Sequence, residues 1–124
     1  MTRYVLTVDL KDDPAAIAAY REFHQRVWPE VLRSLQHAGI RAMEIYILER
    51  RLVMIAETDG RDIRDAFAMH RRSEPRVIEW ERMMKGLQAA PPGAAPGETW
   101  TPMTPVFRFD ATKGQPAADP ARPS

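Results

Sequence analysis

The chain has 124 residues, 44% of them hydrophobic and 28% charged, which suits one soluble globular domain with a core of modest size. Its 18 basic and 17 acidic residues give a formal net charge of +1, a balance that disfavours nucleic acid as a partner. The absence of cysteine excludes disulfides and thiolate chemistry, and no apolar run approaches the roughly 20 residues of a membrane span, so we expect a cytoplasmic protein with no membrane partner.

The first half of the chain predicts a strand, a long helix and a hairpin of two further strands. Residues 3–10 alternate Val, Leu and Tyr with polar residues, as a half-buried strand does. Two aspartates and a proline then mark the start of a helix over residues 14–38, which Gly39 ends. Residues 40–49 and 51–58 predict the second and third strands, and the polar junction between them indicates a hairpin.

The second half of the chain predicts helix and then strand. Residues 63–70 have a helical pattern, Pro75 interrupts it, and the pattern resumes to about Leu87. A loop rich in Pro, Ala and Gly follows, and residues 104–109 predict a short last strand. The tail, residues 110–124, has low hydrophobicity and three prolines, so we expect it to be disordered.

The predicted order β-α-β-β-α-β belongs to the α+β class. It is the order of the ferredoxin-like fold, a four-stranded antiparallel sheet with helices on one face. The other face of such a sheet is uncovered, and a homodimer packed through the sheet is the simplest way to bury it. We therefore expect one domain over residues 1–109 that assembles into a dimeric α/β barrel.

One side of the predicted first helix is apolar with a histidine near its middle, where Tyr20, His24 and Trp28 stack at a spacing of four residues. One interpretation is a core histidine bonded to a backbone carbonyl. The other is a pocket, because Pro29 inside the helical pattern kinks the chain and opens space beside the cluster. An imidazole among aromatic rings suits a sugar, whose C–H faces stack on the rings. The side chains within this arc of roughly 100° are Ile17, Tyr20, His24, Val27, Trp28, Val31 and Leu35.

Further candidate site residues come from the second strand and from two tryptophans. Glu44 and Tyr46 share one face of the strand, and on the helix side they would point a carboxylate and a phenol at His24. The alternative is an exposed Glu44 with Tyr46 at the edge of the domain. Trp28 either stacks on the sugar or packs behind the histidine. Trp80 either packs in the core or closes the pocket. Trp100 follows the flexible loop, where it either packs or forms a lid.

Motifs for other kinds of chemistry are missing from the sequence. The three histidines have no metal-ligand spacing, so we predict no metal site. There is no glycine-rich phosphate loop, and no serine lies in a nucleophile-elbow context.

The segment YREFHQRVWPEVLRSLQHAGI, residues 20–40, followed by MEIYIL, residues 43–48, resembles the L-rhamnose mutarotase family. These are small ferredoxin-like dimers with the signature Y-x-x-x-H-x-x-x-W-P-E. The likeness extends over residues 3–109. Within the family, the stretches DLKDDPAAIAAY, PRVIEWE and PGAAPGETWTPM look more like the L-fucose mutarotase branch.

The resemblance implies roles for particular residues. His24 matches the histidine that serves as the acid–base group, and Tyr20 and Tyr46 match tyrosines that line the sugar site. Trp80 matches the first of two adjacent tryptophans near the sugar in the rhamnose enzymes. Glu81 stands where the second tryptophan would be, which argues against L-rhamnose as the preferred substrate.

We therefore expect an aldose mutarotase that interconverts the α and β anomers of a 6-deoxy-hexose, L-fucose before L-rhamnose, by general acid–base ring opening and closure. His24 is the expected main acid–base residue, and Tyr20 or Tyr46 is expected to orient the sugar or relay the second proton. Such a reaction requires no cofactor, so none is predicted, and the partner is a small-molecule monosaccharide. Two other interpretations stay open. One is a cofactor-free oxygenase on the same dimeric fold, and the other is a sugar-binding domain without catalysis.

Overall fold

The computed structural model describes residues 2–112. They form one antiparallel sheet with helices packed on one of its faces. The strands are β1 (Thr2–Leu10), β2 (Ile40–Leu48), β3 (Arg51–Thr58), β4 (Gln88–Ala89) and β5 (Thr101–Pro102). The helices are α1 (Pro14–Phe23), α2 (Pro29–His37), α3 (Ile63–Arg71) and α4 (Pro75–Leu87).

Local sequence signals fix where several of these elements begin and end. Asp13 caps α1 by accepting a hydrogen bond from the backbone N–H of Ala15 at 3.0 Å, and Asp62 caps α3 in the same way. Gly39 follows α2 with a φ of 93°, and a Cβ there would lie 2.7 Å from Oδ1 of Asp59. Only glycine suits this turn into β2, because both the positive φ and the close approach exclude a side chain.

The strands have the order of the ferredoxin-like fold. The sheet runs β2-β3-β1-β4, with β5 also pairing with β1. The long central pair β1–β3 extends from Thr2 opposite Thr58 to Asp9 opposite Arg51. The predicted fold class, an α+β ferredoxin-like sheet with helices on one face, is confirmed.

The last strand was predicted at the wrong place. Residues 104–109 lie outside the strands, and the fourth strand position is instead divided between β4 and β5. Both segments pair with the same β1 strand, β4 at Asp9 and Leu10 and β5 at Leu6 and Thr7, with residues 90–100 looping out between them. Pro105 lies within residues 104–109 and lacks the backbone N–H that a strand donates, which opposes the strand that the alternating apolar pattern favours.

The predicted helix over residues 14–38 is two helices rather than one kinked helix. Pro29 is the first residue of α2, and Trp28 before it is extended with a ψ of 138°. A proline inside a helix would remove a hydrogen bond and clash with the preceding turn, whereas at a helix start it costs nothing. The residue before a proline also disfavours helical backbone. The break leaves His24 as the C-terminal cap of α1.

The core divides into two clusters between the helices and the inner face of the sheet. Leu35, Ile45 and Trp100 pack against both clusters. The first cluster consists of Leu6, Ala38, Ile40, Met54, Ala56, Ile63, Ala66 and Phe67. The second consists of Val8, Leu10, Tyr20, Val31, Leu52, Val77, Trp80 and Met84.

The other side of the sheet, here called the outer face, has no element packed on it within residues 2–112. Register places Val5 beside Ile55 and Tyr46 beside Val53 on this face. Leu48, at one end of it, is 77% exposed. No helix in this part of the chain is long and apolar enough to cross a membrane. Most of the tail predicted to be disordered, residues 113–124, lies outside the described residues.

Candidate active site

A cavity of about 370 Å³ lies between the helices and the inner face of the sheet. Its walls come from all four helices, from β2 and β3, and from the segment around β4 and the loop before β5. The volume suits a small molecule such as a monosaccharide. The polar and aromatic side chains that line it are Tyr20, His24, Phe67, His70, Arg71, Trp80, Glu81, Gln88, Thr99 and Trp100.

His24 is held in this wall by its own helix. Its Nδ1 lies 2.8 Å from the carbonyl oxygen of Tyr20, and because a carbonyl only accepts, Nδ1 carries the proton and donates. The imidazole stacks on the Tyr20 ring at 4.1 Å between centroids and meets the Trp80 ring edge-on at 5.5 Å. In the neutral ring, Nε2 is therefore the basic nitrogen. The sequence left two alternatives for His24, a hydrogen bond to a backbone carbonyl and a position in a pocket. The structure shows both.

Burial lowers the pKa of His24 below its ordinary value. The hydrogen bond to the Tyr20 carbonyl and the charge of Glu81 oppose the shift without cancelling it. The imidazole is therefore neutral at pH 7, with a free lone pair, which is the state that a general base requires.

Tyr20 contributes a protonated phenol to the same wall. The residue is 4% exposed, and burial together with the charge of Glu81 raises the pKa of its hydroxyl well above the ordinary value. The side chain of Gln88 interacts with the hydroxyl and opposes that rise. Tyr20 therefore stays neutral at any physiological pH and is suited to hydrogen bonding rather than proton abstraction.

The three tryptophans have three different positions. Trp80 is buried in the cavity wall, and Trp28 packs behind it, edge-on at 5.2 Å between ring centroids. Trp28 is not among the residues that line the cavity, and the guanidinium of Arg76 covers its ring at 3.7 Å. Trp100 lines the cavity from the loop side. Two residues earlier in the loop, Glu98 accepts a hydrogen bond from Arg64 at 2.8 Å, which fixes the loop to α3.

Glu44 and Tyr46 do not point at His24, and this placement corrects the expectation from the sequence. Both lie on the outer face, where the Tyr46 hydroxyl donates to Oε2 of Glu44 at 2.7 Å. Successive side chains of a strand point to opposite faces, and Met43 and Ile45 occupy the cavity side. Burying these two apolar side chains rather than a carboxylate and a phenol decides which face of β2 turns inward.

His70 and Glu81 were not predicted as site residues, yet both line the cavity. His70 is 4% exposed, its Nδ1 lies 2.8 Å from Oγ of Ser34, and its Nε2 lies 3.6 Å from Oε2 of Glu81. The signal for His70 was present in the sequence. Counted from Ile63, it follows Ala66 and Phe67 at the i, i+3, i+4, i+7 spacing of a buried helix face. The charged residues that follow His70 hid this pattern.

Within residues 2–112, no group of three or more His, Cys, Asp or Glu side chains is arranged to hold a metal ion. The residues that converge on the cavity are acid–base and hydrogen-bonding groups on aromatic walls. Such a set is suited to moving protons on a bound hydroxylated molecule.

Comparison with known proteins places this geometry in a family context. The model of the L-rhamnose mutarotase family matches residues 3–109. An L-fucose mutarotase of Xanthomonas campestris pv. campestris is 44% identical over 110 residues, which cover 86% of this chain and 87% of that protein.

Two solved structures resemble the chain in fold. An L-rhamnose mutarotase from Formosa agariphila superposes with a TM-score of 0.63 at 21% identity, covering 89% of this chain and 100% of that one. Tetracenomycin F2 cyclase from Streptomyces glaucescens, a type-II polyketide cyclase, superposes with a TM-score of 0.52 at 17% identity, covering 89% and 98%. At these identities the likeness concerns the fold alone.

Proposed function

The chain belongs to the L-rhamnose mutarotase family of carbohydrate isomerases, and we propose that it interconverts the α and β anomers of a 6-deoxy-hexose with His24 as the main acid–base residue. The observation that carries the proposal is the state of this imidazole. Its Nδ1 proton is tied to the Tyr20 carbonyl, and its Nε2 is left basic in the wall of an aromatic cavity.

Exchange of anomers requires the sugar ring to open and close again. Opening removes the proton from the anomeric hydroxyl, breaks the bond from C1 to the ring oxygen, and delivers a proton to that oxygen. Rotation about C1–C2 and the reverse steps give the other anomer. General acid–base catalysis typically contributes about 10²–10⁴-fold, and a neutral imidazole near pH 7 is well matched to the first proton transfer.

The remaining wall residues bind and orient the sugar in this proposal. The Tyr20 hydroxyl donates or accepts a hydrogen bond with the sugar, while Trp80 and Trp100 offer apolar faces to its C–H groups. Trp28 supports Trp80 from behind rather than touching the sugar. Residues 1–109 form the catalytic domain, which the extent of the family match supports.

We propose L-fucose as the substrate and L-rhamnose as the alternative. The 44% identical relative is named an L-fucose mutarotase. Glu81 also stands in place of the second of two adjacent tryptophans that the resemblance implies for the rhamnose enzymes. The two sugars differ only in the configuration of hydroxyl groups, so one polar side chain in place of an indole is enough to change their order of preference.

We also propose that the protein is a homodimer packed through the outer face. Val5, Val53 and Ile55 form an apolar row at the centre of that face, and Tyr46 and Leu48 extend it while more than half exposed. A second copy of the same face would bury these side chains symmetrically. The cytoplasmic location expected from the sequence stays a prediction.

The test is saturation transfer between the α and β anomeric protons of L-fucose and of L-rhamnose, measured by NMR. Wild-type protein is expected to accelerate exchange, more for L-fucose, and His24→Ala is expected to lose about 10²–10⁴-fold. His37→Ala is the matched control, because His37 is exposed near the end of α2. Acceleration that survives in His24→Ala would refute the assignment. No acceleration by the wild type with either sugar would refute the function. Oxygen uptake would then test the alternative of a cofactor-free oxygenase.

A further inference from the structure

We infer that Glu81 is the second acid–base residue of the cavity, the group that supplies the proton to the ring oxygen, and that His70 positions it and shares its proton. This inference rests on the proposed function, since it concerns the same reaction in the same cavity. It identifies the group that protonates the ring oxygen, a step that His24 does not perform.

Glu81 is the carboxylate that faces both histidines of the cavity. It lies on α4 directly after Trp80, it is partly buried, and it lines the cavity together with His24 and His70. Its charge acts on Tyr20 and on His24 across the cavity. A carboxyl group in this place is in reach of a molecule bound between α1 and α4.

Hydroxyl groups behind His70 determine which of its nitrogens carries a proton. Ser73 Oγ lies 2.9 Å from the carbonyl oxygen of His70, which only accepts, so Ser73 donates its proton there. The single proton of Ser34 then goes to Ser73 Oγ at 2.7 Å or to the same carbonyl at 3.5 Å. Ser34 has no further proton, so in its 2.8 Å contact with Nδ1 it accepts, and His70 donates.

The consequence is that His70 directs its Nε2 towards Glu81. Nε2 lies 3.6 Å from Oε2 of Glu81, a distance that fits an ion pair rather than a hydrogen bond. In the inferred mechanism, one proton held by this pair is the proton that the ring oxygen receives. Other ionisable groups lining the cavity nearby are Tyr20 and His24 from α1 and Arg71 from α3.

The two groups together complete a balanced ring opening. Nε2 of His24 takes the proton of the anomeric hydroxyl as the C1–O1 bond becomes a carbonyl. The bond from C1 to the ring oxygen breaks, and that oxygen takes the proton shared by Glu81 and His70. Closure on the opposite face of the aldehyde returns each proton to its origin, so no other reactant is consumed.

The experiment compares Glu81→Gln with Glu79→Gln, an exposed residue two positions earlier on the same helix. Glutamine keeps the shape of the side chain but holds no transferable proton. Anomer exchange of L-fucose is measured by saturation transfer over a range of sugar concentrations and pH. We expect Glu81→Gln to lower kcat by about 10²-fold with KM unchanged, and Glu79→Gln to match the wild type.

The pH profile separates a proton donor from a structural side chain. A proton donor makes the rate fall at high pH, and protonation of His24 makes it fall at low pH. Glu81→Gln is expected to lose the fall at high pH and keep the fall at low pH. A rate and profile like those of Glu79→Gln would overturn the inference while leaving the proposed function intact. A wild type without activity would instead refute the function itself.

A second measurement reads the wild-type protein and does not depend on the folding of a Glu81 variant. The chain has 3 histidines, so ¹⁵N NMR resolves them, and the spectra of His24→Ala and His37→Ala assign the third to His70. The inference requires a proton on Nδ1 of His70 throughout the active pH range. A neutral His70 with a bare Nδ1 and a proton on Nε2 would overturn it.

Discussion

The two sides of the sheet each have a tyrosine close to a glutamate, and the difference between them is instructive. On the outer face Tyr46 is 53% exposed in one protomer and donates a 2.7 Å hydrogen bond to Glu44. On the inner side Tyr20, which belongs to α1, is 4% exposed and shares a cavity wall with Glu81 and two histidines. In one protomer the outer hydrogen bond competes with water, whereas burial strengthens every electrostatic interaction on the inner side. The same residue types are therefore a surface pair in one place and part of a candidate acid–base site in the other.

The largest contrast between the faces is expected from truncating an apolar side chain on each. Trp80→Ala removes a 3%-exposed indole from the second core cluster and from the cavity wall. We expect it to lower the free energy of unfolding by about 3–5 kcal/mol. Leu48→Ala, at 77% exposed on the outer face of one protomer, is expected to change it by less than about 0.5 kcal/mol when the protein is dilute enough to be monomeric. Urea denaturation of both variants measures this, and equal losses would contradict the division into a packed and an open face.

The pH dependence of catalysis also distinguishes the two sides of the sheet, because the buried base His24 lies on the inner side. Burial favours the neutral imidazole of His24, so its pKa lies below the ordinary value of 6.5. We expect kcat/KM for anomer exchange to stay level as pH falls to that value and to drop about tenfold per unit below the shifted pKa. The unfolded chain binds the proton more readily, so stability also falls in the same direction, from pH 6.5 downwards. A midpoint above 6.5 would contradict a desolvated base.

Removing one hydroxyl from each face tests the two phenols directly. Tyr20→Phe is expected to lower kcat/KM by about tenfold, which corresponds to about 1.4 kcal/mol, the size of one hydrogen bond to the sugar. Tyr46→Phe removes only the bond to Glu44 and is expected to leave exchange unchanged. Saturation transfer on both variants measures the difference. A loss in Tyr46→Phe would mean that the outer face takes part in the reaction.

The smallest expected effect on activity comes from placing a charge in the apolar row of the outer face. In the proposed dimer, Val53→Lys would set two ammonium groups against each other, and we expect the molar mass measured by light scattering to fall by about half. Anomer exchange is expected to persist, since Val53 does not line the cavity. A Thr7→Ser variant, which keeps the hydroxyl bonded to the Leu52 carbonyl on the same face, serves as the control. A wild type that is already monomeric would contradict the proposed dimer.

The sequence by itself determined the order of the elements and the position of His24. Both depend on local periodicity: strands alternate, helices repeat near 3.6 residues, and Tyr20 and His24 lie on the same side of α1 because they are four residues apart. The same period places His70 on the buried side of α3, although the charged residues beyond it obscured the pattern. Caps and glycines, such as Asp13 and Gly39, fixed the boundaries for equally local reasons.

Only the tertiary structure decided which face of β2 turned inward, where the last strand formed, and which groups met His24. A strand with Met43 and Ile45 on one face and Glu44 and Tyr46 on the other satisfies the same alternation in either orientation. Packing of the helices and β3 decided the orientation, with Met43 and Ile45 turned inward. The contact between Ser34 and His70 spans 36 residues, and Glu81 comes from a further helix. Such contacts depend on how separate elements pack, which no local period encodes, so the set of polar groups that meets in the cavity is evident only in three dimensions.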